Sequence, residues 1–234
     1  VSLSHDNIIQ ERAIICICYK WENEKKVHVL KWKNGCDKKV CKQFMEVMEL
    51  ADEMVAHNGD RFDMKWFRGR CLKHKLGLPK DVTTIDTLKI SRQKFDLNSH
   101  RLDYIAKFLL GHGKISTSFD LWKNIVLDKC EKSMNDMVKY CIKDVKILQE
   151  VYEYLSKYTP GKTHVGVMNG LDPWSCPRCG SENVIRDGKK ISAKGIITQT
   201  MRCKSCGCRY GISQANNKKL MEHQLNDRSK KKNK

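Results

Sequence analysis

The residues best spaced for chemistry are cysteines. Cys176-Pro-Arg-Cys179-Gly and Cys203-Lys-Ser-Cys206-Gly are two C-x-x-C-G knuckles separated by 23 residues. Each knuckle lets a tight turn aim two thiolates at one ion, and two knuckles complete a tetrahedral four-sulfur site for zinc at ~2.3 Å per bond. A redox pair would need a βαβ pattern beside it, and disulfides would need an oxidising compartment, so zinc is the favoured reading. Cys208 is a surplus thiol that competes with Cys206 for the fourth position, although its C-x-C spacing matches the first knuckle less well. Two other groups carry carboxylates. Asn58 and Asp63 flank what reads as a strand-to-helix turn, and Tyr140 and Asp144 lie one helical turn apart. Counted at ~100° per residue from Met134, Tyr140 and Asp144 fall near ~240° and ~280°, on the flank of an apolar stripe where a cleft can form. A carboxylate there costs desolvation energy unless it is paired or holds a metal. Taken singly, Asp63 reads equally well as a helix N-terminal acid and Tyr140 as a core-edge residue.

Elements must position these groups. Arg12 to Lys20 and Lys26 to Trp32 are β-branched and aromatic around a polar stretch, which predicts an antiparallel hairpin. Asp37 to Glu53 carries apolar residues at three- and four-residue steps behind an Asp able to cap, and predicts a helix. Met54 to Ala56 and Thr83 to Asp86 read as short strands, with a helix over Asp63 to Leu76 between them, stopped by Gly77 and Pro79. Helices are expected over Arg101 to Leu110, Phe119 to Leu127 and, most strongly, Ser133 to Tyr158. Within the cysteine-rich part, Val184-Ile185 and Ile196 to Thr198 read as strands separated by Asp187-Gly188.

The expected organisation is a first domain over 1–157, a Pro- and Gly-containing linker over 158–171, a zinc ribbon over 172–215 and a basic tail over 216–234 too polar to fold by itself. Lys and Arg number 45 against 27 Asp and Glu, a formal charge of +18, which attracts polyanions and makes nucleic acid the first partner to expect. In the ribbon, Arg178, Lys189, Lys190, Lys194, Arg202, Lys204 and Arg209, with Trp174 and Tyr210 as stacking platforms, point the same way. No apolar run approaches the ~18 residues of a membrane span and no signal peptide opens the chain, so no membrane association and a cytoplasmic location are expected, host cytoplasm if phage-encoded. Cys16, Cys18, Cys41 and Cys141 sit in apolar patterns and read as small buried hydrophobes.

Asn58-x-x-x-Phe62-Asp63 followed by Tyr140-x-x-x-Asp144, with a hairpin and helix before them and a zinc ribbon after, resembles the DEDDy branch of the 3′-5′ exonucleases. The nearest likeness is to phage-type stand-alone exonucleases with a C-terminal zinc ribbon. The resemblance implies an α/β ribonuclease H-like mixed sheet with flanking helices, and two-metal phosphodiester hydrolysis with Mg²⁺ or Mn²⁺ ions ~3.5–4 Å apart. It implies that Asp144 and Asp63 are metal ligands, that Tyr140 orients the attacking water, and that Asn58 positions the substrate strand or the turn. It implies single-stranded DNA as substrate and replication or repair proteins as partners. That family's first motif, an Asp-x-Glu on a central strand, is not found upstream of Arg12, where Asp6 and Glu11 are the only acids. Val1 to Glu11 reads as the connection that follows such a strand, whose neighbours would otherwise expose unpaired edges. Three functions stay open: a metal-dependent 3′-5′ exonuclease of DNA, a non-catalytic nucleic-acid binder on a nuclease-derived scaffold, and a zinc-ribbon transcription accessory factor.

Overall fold

A computed structural model describes residues 11–113, 118–159 and 161–232, with side chains to residue 225. The chain divides after Tyr152 into two units.

The first unit starts with strands β1 (Cys16–Tyr19) and β2 (His28–Lys31), paired antiparallel from Cys16↔Lys31 to Tyr19↔His28. Helix α1 (Lys38–Leu50) follows, then strand β3 (Glu53–Ala56), helix α2 (Asp63–Lys73) and strand β4 (Thr83–Asp86). β3 and β4 run parallel in register from Glu53↔Thr83 to Ala56↔Asp86, so α2 is the crossover that a parallel pair requires. Helices α3 (Thr87–Lys94), α4 (Leu102–Leu110), α5 (Phe119–Val126) and α6 (Glu131–Leu155) complete the unit. Among the described residues β1–β2 and β3–β4 are separate two-stranded sheets.

Side-chain alternation along β1 feeds two cores. Ile17 packs against Cys41, Met48, Met64, Phe67 and Cys71 of α1 and α2. Cys16 packs with Ile15, Ile125 and Met137, joined by Leu121, Met134 and Tyr140 of α5 and α6. Helices on both sides of strands give a mixed α/β architecture that fits the expected ribonuclease H-like fold.

Asp37 departs from its expected capping role, because its side chain makes no cap hydrogen bond to α1. Its fully buried carboxylate accepts instead from Ile14 N at 2.8 Å, Arg70 Nε at 2.7 Å, Arg70 Nη2 at 2.8 Å and His74 Nε2 at 2.6 Å. Burial pushes its pKa up, but the guanidinium of Arg70, the Ile14 amide and His74 outweigh that and hold the carboxyl well below its usual range. A buried charge so saturated with donors clamps α2 to the residue leading into β1.

The second unit is a three-stranded antiparallel sheet in the order β5 (Val184–Ile191), β6 (Ile197–Cys203), β7 (Arg209–Ser213). Before it, a four-residue helix α7 (Val165–Met168) interrupts the expected linker. Asp187-Gly188 does not end a strand. β5 runs through it with a register shift between Arg186 and Lys189, and Gly188 has φ 101°, so the pair forms a bulge and the chain reverses at Ser192 to Gly195. The expected unstructured tail is helix α8 (Gln214–Lys232). Its composition alone gives it no apolar face, but Leu220 is 3% exposed and joins the sheet's core, and Asn217 accepts from Arg186 Nε at 3.0 Å. Tertiary packing supplies what intrinsic propensity does not.

Candidate nuclease and metal-binding sites

In open α/β sheets ligands collect at the carboxyl ends of the parallel strands. Here those ends are Ala56 and Asp86, side by side in register. Past Ala56 the chain turns sharply: Asn58 takes a left-handed backbone (φ 64°), which Asn tolerates better than most residues. Gly59 is required next, since a Cβ there would lie 2.4 Å from Ala56 Cβ. The same position comes within 3.8 Å of Asp63 Oδ2, which places the Asp63 carboxylate over the end of β3. Asp63 is exposed at the first turn of α2, where the helix dipole favours a negative charge.

Asp86 holds this turn from the neighbouring strand. Only 4% exposed, it accepts from Asn58 N at 2.8 Å and from Leu88 N at 3.0 Å through one oxygen, so it caps α3 and fixes the Asn58 turn together. Its second oxygen, Oδ2, is buried and has no hydrogen-bond partner among the described residues. Thr87 Oγ1 donates to Ala56 O at 3.1 Å and meets His57 Nδ1 at 2.9 Å, and Lys89 pairs with Asp60 at 2.5 Å. Sequence reasoning singled out Asn58 and Asp63 but did not foresee that Asp86 clamps their turn and caps a helix. The signal was present, as an Asp ending a β-branched run is a capping residue, but α3 lacks an apolar stripe to announce a helix.

Tyr140 and Asp144 lie on α6 as expected, both half-buried. Tyr140 packs against the Ile15, Ile125 and Met137 core, and Asp144 Oδ1 is a buried carboxylate oxygen. Carboxylate oxygens are the right donors for Mg²⁺ or Mn²⁺. The number is short. Among the described residues, neither Asp63 nor Asp144 belongs to a group of three or more His, Cys, Asp or Glu side chains whose ligand atoms gather within 4.8 Å. Among the described residues Asp63 and Asp144 therefore do not complete a two-metal ligand set; of the two upstream acids, Glu11 is exposed and Asp6 lies outside the described residues.

The second unit presents a complete ligand set. The sulfurs of Cys176, Cys179, Cys203 and Cys206 all lie within 4.8 Å of one another, with Cys176 to Cys206 at 3.5 Å and Cys179 to Cys203 at 3.7 Å. A tetrahedron with ~2.3 Å bonds puts sulfurs about 3.8 Å apart, so four thiolates can meet one zinc ion here with little movement. Cys208 is outside the set: it is 1% exposed in the hydrophobic core. Burial pushes Cys176 and Cys206 up to about 11. Cys203 is also pushed up by burial, but the amides of Cys206 and Ser205 outweigh it and bring the thiol down to about 7. Trp174 and Tyr210, expected as stacking platforms, are core residues, 5% and 8% exposed, with Tyr210 Oη donating to Trp174 O at 2.6 Å. Lys189, Lys190, Lys194, Arg202 and Lys204 are exposed, whereas Arg209 pairs with Asp187 at 2.6 Å and Arg178 donates to Thr159 O.

Among the described residues no helix is long and apolar enough to cross a membrane. Compared with known proteins, residues 9–156 match the sequence model of the RNase_H superfamily. The chain is also similar to a DNA polymerase III PolC-type protein of Ureaplasma parvum serovar 3, with 40% identity over 76 residues. That match covers 32% of this chain and 5% of the polymerase.

Proposed function

Because the chain belongs to the RNase_H superfamily, we propose that it is a metal-dependent 3′-5′ exonuclease hydrolysing DNA, of the DEDDy type, with a zinc ribbon that grips the substrate. The observation that carries this is the mouth of the β3–β4 pair, where Asn58 is locked by Asp86 and the Asp63 carboxylate stands over the strand end. The limited similarity to a DNA polymerase supports DNA as substrate, and the phage-type stand-alone form remains part of the proposal on its motif order and ribbon.

RNase H-like nucleases use divalent metals. Asp63 and Asp144 are assigned as two of the carboxylate ligands, Tyr140 as the phenol that orients water, and Asn58 as the residue that shapes the turn beneath the substrate. Zinc is assigned to Cys176, Cys179, Cys203 and Cys206 as a structural ion, and the exposed ribbon lysines to the phosphate backbone. A second reading, a nucleic-acid binder that does not cut, is favoured by one observation: among the described residues neither Asp63 nor Asp144 belongs to a gathered group of three or more possible metal ligands.

The two are separated by one experiment on a 5′-labelled single strand at low salt with Mg²⁺ or Mn²⁺. The 234-residue polypeptide should bind and trim feebly or not at all, since two carboxylates rarely fix a hydrated ion pair. The same polypeptide preceded by a strand bearing Asp-x-Glu should trim from the 3′ end, and Asp144→Ala in it should abolish trimming while leaving binding intact. Equal degradation by both polypeptides, or trimming that persists in Asp144→Ala, would overturn the assignment. Binding without trimming by the extended polypeptide would establish the second reading.

A further inference from the structure

Three cysteines outside the ribbon converge. Cys16 and Cys18 are two residues apart on β1 and therefore point to the same face. Cys141 lies on α6 four residues after Met137, whose side chain packs on the β1 face that carries Cys16. The three sulfurs all lie within 4.8 Å of one another. All three residues are half-buried, neither sealed in the core nor fully in solvent.

We propose that Cys16, Cys18 and Cys141 form a three-thiolate site for a thiophilic d10 cation, Zn²⁺ or Cu⁺, that fastens α6 to β1. Three sulfurs around one such ion at ~2.3 Å stand about 4.0 Å apart in a plane, or about 3.8 Å in a tetrahedron completed by water. Reaching either arrangement from the observed spacing takes a change of under about 1 Å, within the reach of χ1 adjustments. Soft sulfur donors select these ions over Mg²⁺ or Ca²⁺, so the site does not compete for the nuclease metals. A disulfide explains the cluster less well. It consumes two thiols and leaves the third without a role, and two cysteines two apart on one strand lie at the edge of disulfide reach. Each thiol that binds gives up its proton to solvent, and no electron is transferred.

The position gives the ion a consequence. Cys141 precedes Asp144 by three residues on the same helix, so an ion at Cys141 sets the rotation and depth of the turn that presents Asp144. This role does not depend on the chain being an active nuclease.

The test is metal content of the full chain, loaded in separate samples with Zn²⁺ or, without oxygen, with Cu⁺, then passed over a weak chelator. At least one ion should be held at two equivalents, falling to one in Cys18→Ser and in Cys203→Ser and to none in the double variant. One equivalent for both ions, or two retained in Cys18→Ser, overturns the site. Should Cys18→Ser fail to fold, iodoacetamide labelling of the unaltered protein decides. Cys16, Cys18 and Cys141 should be protected at least tenfold in the loaded protein and released by a strong chelator, whereas equal labelling rates with and without metal overturn the proposal.

Discussion

Asp86→Ala removes a carboxylate that serves both the Asn58 turn and the start of α3. Its contribution can be summed from the structure. Losing an Asp cap costs about 1 kcal/mol. Leaving the Asn58 amide without its 2.8 Å acceptor costs about 1–3 kcal/mol more. Removing Oδ2, buried without a partner among the described residues, returns about 1 kcal/mol of desolvation. The net expectation is a destabilisation of about 2 kcal/mol, which speeds amide exchange at Asn58 and Leu88 by about 30-fold when opening is local. Asp86→Asn keeps an acceptor in place and should cost under about 1 kcal/mol. Hydrogen exchange resolved to single amides, with urea unfolding followed by circular dichroism, measures both. If Asp86→Ala changes stability by less than about 0.5 kcal/mol and leaves both amides protected, Asp86 is not the clamp of this turn and the geometry assigned to Asn58 has another cause.

Asp37→Asn should lower stability at neutral pH by about 3 kcal/mol, because Arg70 is left buried without its countercharge. Asp37 is depressed in the folded state, so its contribution is full above the unfolded carboxyl's pKa of ~3.9 and shrinks as pH falls toward the lower folded value. The gap between wild type and variant should therefore close in acid; melting curves from pH 7 downward that stay parallel would contradict this. In the ribbon, Cys179→Ser should release zinc and melt β5 to β7, seen as lost metal and collapsed amide dispersion, because so small a core relies on its ion. Retention of zinc in that variant would mean Cys179 is not a ligand. The logarithm of the affinity for single strands should fall linearly with log salt, and replacing Lys189, Lys190 and Lys194 together by Ala should flatten that slope by about 2 if each neutralises one phosphate. An unchanged anisotropy slope would move the binding surface elsewhere.

Much of the framework was legible because it rests on local pattern. β4 falls on Thr83–Asp86, the hairpin lies inside the two predicted β-rich runs, and α6 covers most of the strongest periodic stretch. Errors came where tertiary contacts overrule composition. α8 has almost no apolar periodicity and is held through residues such as Leu220 and Asn217. Trp174 and Tyr210 look like exposed platforms beside basic residues, yet a ribbon this small must bury its largest rings to have a core at all. Asp187-Gly188 carries a turn signature that a bulge also uses, and only pairing register separates the two.

The sites divide along the same physical line. The four ribbon cysteines were legible because each knuckle is a local turn, and two identical knuckles leave one way to meet. The turn over β3 was half legible: Asn58 and Asp63 are close in sequence, while their clamp Asp86 arrives from a parallel strand 28 residues beyond Asn58. In the sequence Cys16, Cys18 and Cys141 resemble hydrophobes because each sits in an apolar pattern, and such a pattern fixes which face a side chain takes but not what it meets there. A strand at period two and a helix at period 3.6 bring cysteines together only once the helix is docked. Apolar positions that hold cysteine on two facing elements are therefore the places where a second metal site stays hidden in a sequence, and where packing alone makes it visible.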